Sequence, residues 1–234
     1  MLRIENCTVA NTDDQGISID VTTCITNLTT KTLRYMQLSH RLAGQAGAFT
    51  ADRGGDEALI AVALNETFAH RFDVHLNAPF MQESQNIYTC NAVVCSRERI
   101  ELTDQQITDP EHWSIVQPIE CISSVLGKHL LFTASINRRY GGRYNLDWKL
   151  SFLNNSKTYI PKVRIHTSLF DSDLATLATD ESNWEIKPFS NQLIDHGFGD
   201  LTLGQLRHSR LVMELLVFVP EAFLEASTPI QISR

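Results

Sequence analysis

Two stretches of the chain carry the same alternating pattern. When Asn27 is placed over Asn154, the sequence aligns with itself without a gap from Ile17 to Leu42. Ile17, Ile19, Val21, Thr23 and Ile25 fall on Tyr144, Leu146, Trp148, Leu150 and Phe152. Leu33, Met36, Leu38 and Leu42 fall on Ile160, Val163, Ile165 and Leu169. Few identities survive, but the apolar positions agree. Their spacing is two residues, the period at which β-strand side chains return to one face. Between the runs of each copy lie Asn, Thr, Ser and Lys, which favour a turn. Each copy therefore reads as strand, turn, strand.

More strand signals follow. Phe68, His70, Phe72, Val74 and Leu76 alternate with Ala69, Arg71, Asp73 and His75, and Ile87 to Cys95 is β-branched and aromatic. Leu211 to Val219 plays the same part in the second half. Neither half offers a long stretch of helical periodicity. Short strands between turns, repeated twice, predict an all-β chain of two tandem antiparallel β-sandwich domains. The expected boundaries are 1–102 and 128–234, joined by a connector over 103–127. Asp109-Pro110-Glu111 reads as an N-cap with proline at the first helical position, so a short helical turn is expected there. Trp113, Ile115, Val116 and Ile119 are too apolar for a free tether, which predicts a packed connector.

Asn154-Asn155-Ser156, then Val163, Ile165 and Leu169-Phe170-Asp171, resemble the small bacterial immunoglobulin-like sandwiches of the FxLYD type. Thr167 stands where that pattern has an aromatic, and the first half ends in His40-Arg41-Leu42-Ala43 without the motif. The resemblance implies immunoglobulin-like domains and a non-catalytic extracytoplasmic or accessory module. It implies no active site.

The formal net charge of −7 disfavours a nucleic-acid partner and an anionic membrane surface, both of which need a concentrated positive field. The longest apolar stretches, such as Leu211 to Pro220, are interrupted and too short for a membrane span. The start lacks a basic, apolar leader, so a soluble, cytoplasmic protein is expected. Five cysteines without a CxxC pair fit free thiols in a reducing compartment. Cys24 and Cys90 invite an immunoglobulin bridge, but Cys24 alternates with the core row Ile17, Ile19, Val21 and Ile25 and is expected to point away from it. Asn-x-Ser/Thr triplets such as those at Asn27, Asn65 and Asn154 are read as turn chemistry.

Candidate sites are few. His70 and His75 are expected on opposite faces of one strand. His40 shares the face of Met36, Leu38 and Leu42, and His70 that of Phe68, Phe72 and Val74. With Cys90 inward, His40, His70 and Cys90 form a candidate zinc-type cluster, against the alternative of core residues with single hydrogen bonds. Asp171, Asp173, Asp180 and Glu181 supply oxygen ligands suited to calcium but lack the loop register for it, so a solvated loop is expected. Gly197-Phe198-Gly199-Asp200 reads as a turn, and no nucleophile or phosphate-loop motif is present. The turn holding Arg138, Arg139, Tyr140 and Arg143 combines basic and aromatic groups with glycines, where the first copy carries Asp13-Asp14. It is the candidate surface for an acidic protein partner or for self-association. The expected function is a non-catalytic interaction or scaffold protein without cofactor. The alternatives are a metal-binding protein or enzyme at the His/Cys cluster, and a carbohydrate-binding module using an exposed aromatic such as Trp184.

Overall fold

The structure, a computed structural model, describes residues 1–12, 16–44, 50–77, 85–119 and 130–231. These form β1 (Leu2–Thr12), β2 (Ile17–Thr26), β3 (Leu33–Gly44), β4 (Thr50–Val62), β5 (Thr67–Leu76), β6 (Gln85–Gln106) and β7 (Ser114–Ile119). Then follow β8 (Leu130–Arg138), β9 (Tyr144–Asn154), β10 (Ile160–Phe170), β11 (Thr176–Ile186), β12 (Ser190–Leu201), the short helix α1 (Leu203–Leu206) and β13 (Arg210–Gln231). The fold is all-β with antiparallel, sandwich-like sheets, as the alternation predicts. No helix among the described residues is long and apolar enough to cross a membrane.

The chain divides into two compact units, residues 1–97 with 220–234, and residues 98–219. In unit 1, one layer is β1-β2-β5. The other is β4-β3-β6, followed by the end of β13. Ile17, Ile19, Val21 and Ile25 project from β2 into the space between the layers, each at most 1% exposed, against Met36, Leu38, Val74 and Val94. Burying an aliphatic side chain of this kind contributes about 1.5–3 kcal/mol. Unit 2 has β12-β9-β8-β7 as one layer and β11-β10-β13 as the other, followed by the end of β6. Its core gathers Phe132, Trp148, Phe152, Ile165 and Leu215.

The positions aligned in sequence hold matching places. Ile17 faces Leu76 and Tyr144 faces Leu201, while Leu42 faces Ala51 and Leu169 faces Ala178. Asn27 and Asn154 are both fully buried and make the same bonds. Asn27 Nδ2 donates to the carbonyls of Lys31 and Val62, each at 2.8 Å. Its Oδ1 accepts from the amide and hydroxyl of Thr29 at 2.9 and 2.8 Å. Asn154 donates to the carbonyls of Thr158 and Lys187 at 2.9 and 3.0 Å and accepts from the amide and hydroxyl of Ser156 at 3.0 and 2.7 Å. Each side chain thus fastens the turn between two strands to the end of a third.

The unit boundaries differ from the expected ones. Residues 98–106 continue β6 into unit 2, and residues 220–231 continue β13 into unit 1. Ser96 donates to Glu221 at 2.6 Å within unit 1, and Arg210 donates to Asp104 at 2.5 Å within unit 2. The expected connector is not a separate piece, because Ser114–Ile119 is β7, paired with β8. At Asp109 the chain makes a turn rather than a helix. His112 N donates to the Asp109 carbonyl at 3.2 Å, and Glu111 N to its carboxylate at 3.3 Å. Gly197 to Asp200 is part of β12, not a loop. A side chain at Gly197 would place its Cβ 2.5 Å from the Leu146 carbonyl oxygen, so glycine serves a close strand contact there.

Candidate functional site

In unit 1 the inward row of β3 carries His40, 1% exposed, with Cys90 of β6 directly opposite and fully buried. The expected faces are therefore right. His70 is half-buried on β5, and its ring stacks on Phe72 with centroids 5.5 Å apart. Phe72 lies 4.8 Å from the His40 ring, so an aromatic side chain contacts both histidines. His40 Nδ1 is 2.7 Å from the Tyr88 hydroxyl. Its Nε2 is 3.0 Å from Asp56 Oδ2, but out of line for a hydrogen bond. Arg53 holds the other Asp56 oxygen at 3.1 Å. Among the described residues no group of three or more His, Cys, Asp or Glu side chains is placed to hold a metal ion.

The electrostatics of this cluster favour neutral groups. Burial pushes His40 below the usual histidine range, more than the Asp56 charge raises it. Burial likewise drives the Tyr88 hydroxyl up and pushes the Cys90 thiol up to about 12. A neutral imidazole between a phenol and a carboxylate fixes orientation in the core. Tyr88 and Asp56 escaped sequence reasoning, since Asp56 reaches His40 only through the register slip at Gly55, which has φ 96°.

Each unit has a surface region that offers room. The outward face of unit 1 bears a groove of about 540 Å³. Its floor is Gln37 and Ser39 of β3 with Asn91 and Val93 of β6, and the end of β13 contributes Phe223 and Glu225. Phe223 is 67% exposed, while its neighbours Ala222 and Leu224 pack on the core. Gly54 and Gly55 line the opposite side, where an added Cβ would meet nothing closer than the Ser39 Cβ at 4.0 Å. Nothing in the local sequence announces this groove, because the β3–β4 pair meets β6 and β13, which are far from it in the chain.

The second region is the β8–β9 hairpin of unit 2. Arg139 N donates to the Arg143 carbonyl at 2.7 Å, closing a turn through Gly141 and Gly142 at φ 76° and 73°. Those left-handed values favour glycine. Tyr140 stands fully exposed at the tip, and Arg138, Arg139 and Arg143 are exposed beside it. The Asn145 amide oxygen accepts from the Arg139 guanidinium at 3.1 Å, and Arg143 donates to the Asp200 carbonyl at 3.1 Å. The turn thus gathers the four residues expected to act together. Asp13-Asp14 lies outside the described residues. Arg139 also borders a polar groove of about 520 Å³ containing Asn137, Asp147, Lys149 and Asp195.

Other candidates take structural places. Trp184 is half-buried against the unit 2 core and donates to Ser182 Oγ at 3.1 Å, so it is no open platform. Asp171 accepts from the amides of Asp173 and Ala175 at 2.9 and 2.8 Å, which shapes a turn. Asp180 and Glu181 lie apart from it on β11, beside His196 at 3.2 Å and Arg164 at 3.3 Å. His75 faces away from the core and bonds Ser18 at 3.1 Å. The four described cysteines are unpaired, and Cys24 lies outside the core cluster, with Glu5 accepting from its thiol. Cys121 lies outside the described residues.

No family model and no curated protein matches the chain. Among solved structures it is similar to a red sea bream transglutaminase, at 11% identity over 100% of this chain and 31% of that one, with a TM-score of 0.23. It is also similar to a putative beta-galactosidase from Bacteroides fragilis, at 8% identity over 96% of this chain and 34% of that one, with a TM-score of 0.31. The chain spans roughly a third of the length of each.

Proposed function

We propose that the chain is a non-catalytic interaction protein, built from two copies of one immunoglobulin-like module, which meets an acidic protein surface through the β8–β9 hairpin. The observation that carries this reading is Tyr140, wholly exposed on a glycine-built tip among three arginines. Tyrosine and arginine dominate binding energy where they become buried at interfaces. Exposed ion pairs contribute only about 0–1 kcal/mol each, so the arginines orient the encounter and the tyrosine holds it. The matching bonds of Asn27 and Asn154 support the duplication, and the unpaired cysteines support a reducing, cytoplasmic setting.

The test is a triple reversal of Arg138, Arg139 and Arg143 to Glu, beside Tyr140→Ala. Sedimentation velocity at low salt measures self-association, and affinity capture measures partner retention. Both variants should fold normally, since all four side chains are exposed, and should lose the associated species. Unchanged sedimentation and capture in both variants would make the turn a solubilising loop.

A further inference from the structure

The groove on unit 1 has no part in the hairpin reading, and its chemistry is different. We propose that it is a binding site for a neutral oligosaccharide. Its volume of about 540 Å³ lies within the ~300–1,000 Å³ of sites for small ligands. The floor presents the side-chain amides of Gln37 and Asn91 and the hydroxyl of Ser39, and Glu225 adds a carboxylate at the wall. Together they offer both donors and acceptors, as the vicinal hydroxyls of a sugar require. Among the described residues no Lys, Arg or His lines the groove, so an acidic sugar or a phosphate would meet Glu225 without a compensating cation from them. Phe223 supplies an exposed aromatic face against which the hydrogen-bearing face of a pyranose ring can stack.

Two further observations favour a sugar over a peptide strand. The floor is the face of the sheet, where β3 is already paired on both sides, to β4 and β6. Strand addition needs an unpaired edge. The glycine pair at 54 and 55 leaves open space beside Ser39 in a strand that otherwise alternates side chains, so the groove lacks a wall that almost any other residue would build.

Affinity gel electrophoresis of the full chain tests this directly. The gels carry a β-glucan, an α-glucan, a xylan, a mannan or a galactan, with a polyuronate as the acidic comparison. At least one neutral glycan should retard the protein. Phe223→Ala removes the stacking face and should weaken retention about tenfold. Gly54→Leu fills the notch without a backbone clash and should do the same. Tyr140→Ala, in unit 2, should leave retention unchanged, which separates this site from the hairpin. Retardation by none of the neutral glycans, retardation by the polyuronate alone, or retention indifferent to both Phe223→Ala and Gly54→Leu would overturn the proposal.

Discussion

Replacing Asn27 by Ala should destabilise unit 1 by about 3 kcal/mol. The side chain is fully buried and makes four hydrogen bonds, two as donor and two as acceptor. The Thr29 hydroxyl keeps a second acceptor, the Lys31 carbonyl at 3.0 Å. The Val62 carbonyl, the Lys31 carbonyl and the Thr29 amide lose their Asn27 partner, at about 1 kcal/mol each. Asn27→Asp is the sharper perturbation, because it keeps the shape but turns a carboxylate oxygen toward two carbonyls. At pH 7 it should cost more than the alanine, since a buried charge is then left without a cation. Burial raises the pKa of that carboxyl, so the excess cost should shrink as pH falls and the group protonates in the folded state. Urea unfolding followed by far-UV circular dichroism measures both. Tryptophan fluorescence does not serve for unit 1, because Trp113, Trp148 and Trp184 all lie in unit 2. It does serve for Asn154→Ala, which should cost about the same 3 kcal/mol through the same bonds. A loss under about 1 kcal/mol for Asn27→Ala, or an Asp variant no worse than the Ala variant at pH 7, would refute the reasoning.

Three other outcomes are expected. His40 is held below the ordinary histidine value of about 6.5, so the unfolded chain takes up the proton first as pH falls. Its contribution to stability should be whole above about pH 6.5 and decline below it by up to about 1.4 kcal/mol per pH unit. Urea midpoints from pH 8 to pH 5 should show this slope flattened in His40→Gln. Burial pushes Cys90 and Cys95 up to about 12 and Cys7 up to about 11, so these thiols should react slowly with a disulfide reagent at pH 8 in the native protein. All five should titrate as thiols once it is unfolded without reductant. Gly197→Ala should destabilise unit 2 by about 1–3 kcal/mol in a fluorescence-monitored melt, because the new Cβ would press on the Leu146 carbonyl oxygen.

What was legible in the sequence was whatever alternation encodes. The faces of β2, β3, β9 and β10, the inward turn of His40 and the outward turn of Cys24 all follow from a period of two residues. The equivalence of Asn27 and Asn154 followed from the same pattern, though not the four bonds each makes. What was not legible depends on register between distant strands. Residues 220–231 read as the end of the second domain, whereas there β13 runs on to Gln231 beside β6 and belongs to unit 1. Gly197 looked like a turn because the contact that demands it, the Leu146 carbonyl, comes from another strand. Trp184 looked exposed because its alternation is that of an edge strand half-covered by the core. The groove beside Phe223 and the approach of Asp56 to His40 arise in the same way, from residues that no local window contains.

The membership of residues 220–231, the end of the last strand, in unit 1 separates the described fold from two sequence-contiguous halves, and native-state hydrogen exchange read by peptide tests it directly. Amides in 220–231 should exchange with those of β3 and of residues 85–97. In Asn27→Ala these three groups should lose protection together, while β10 and residues 210–219 keep theirs. Exchange of 220–231 in step with β10, unmoved by Asn27→Ala, would contradict it.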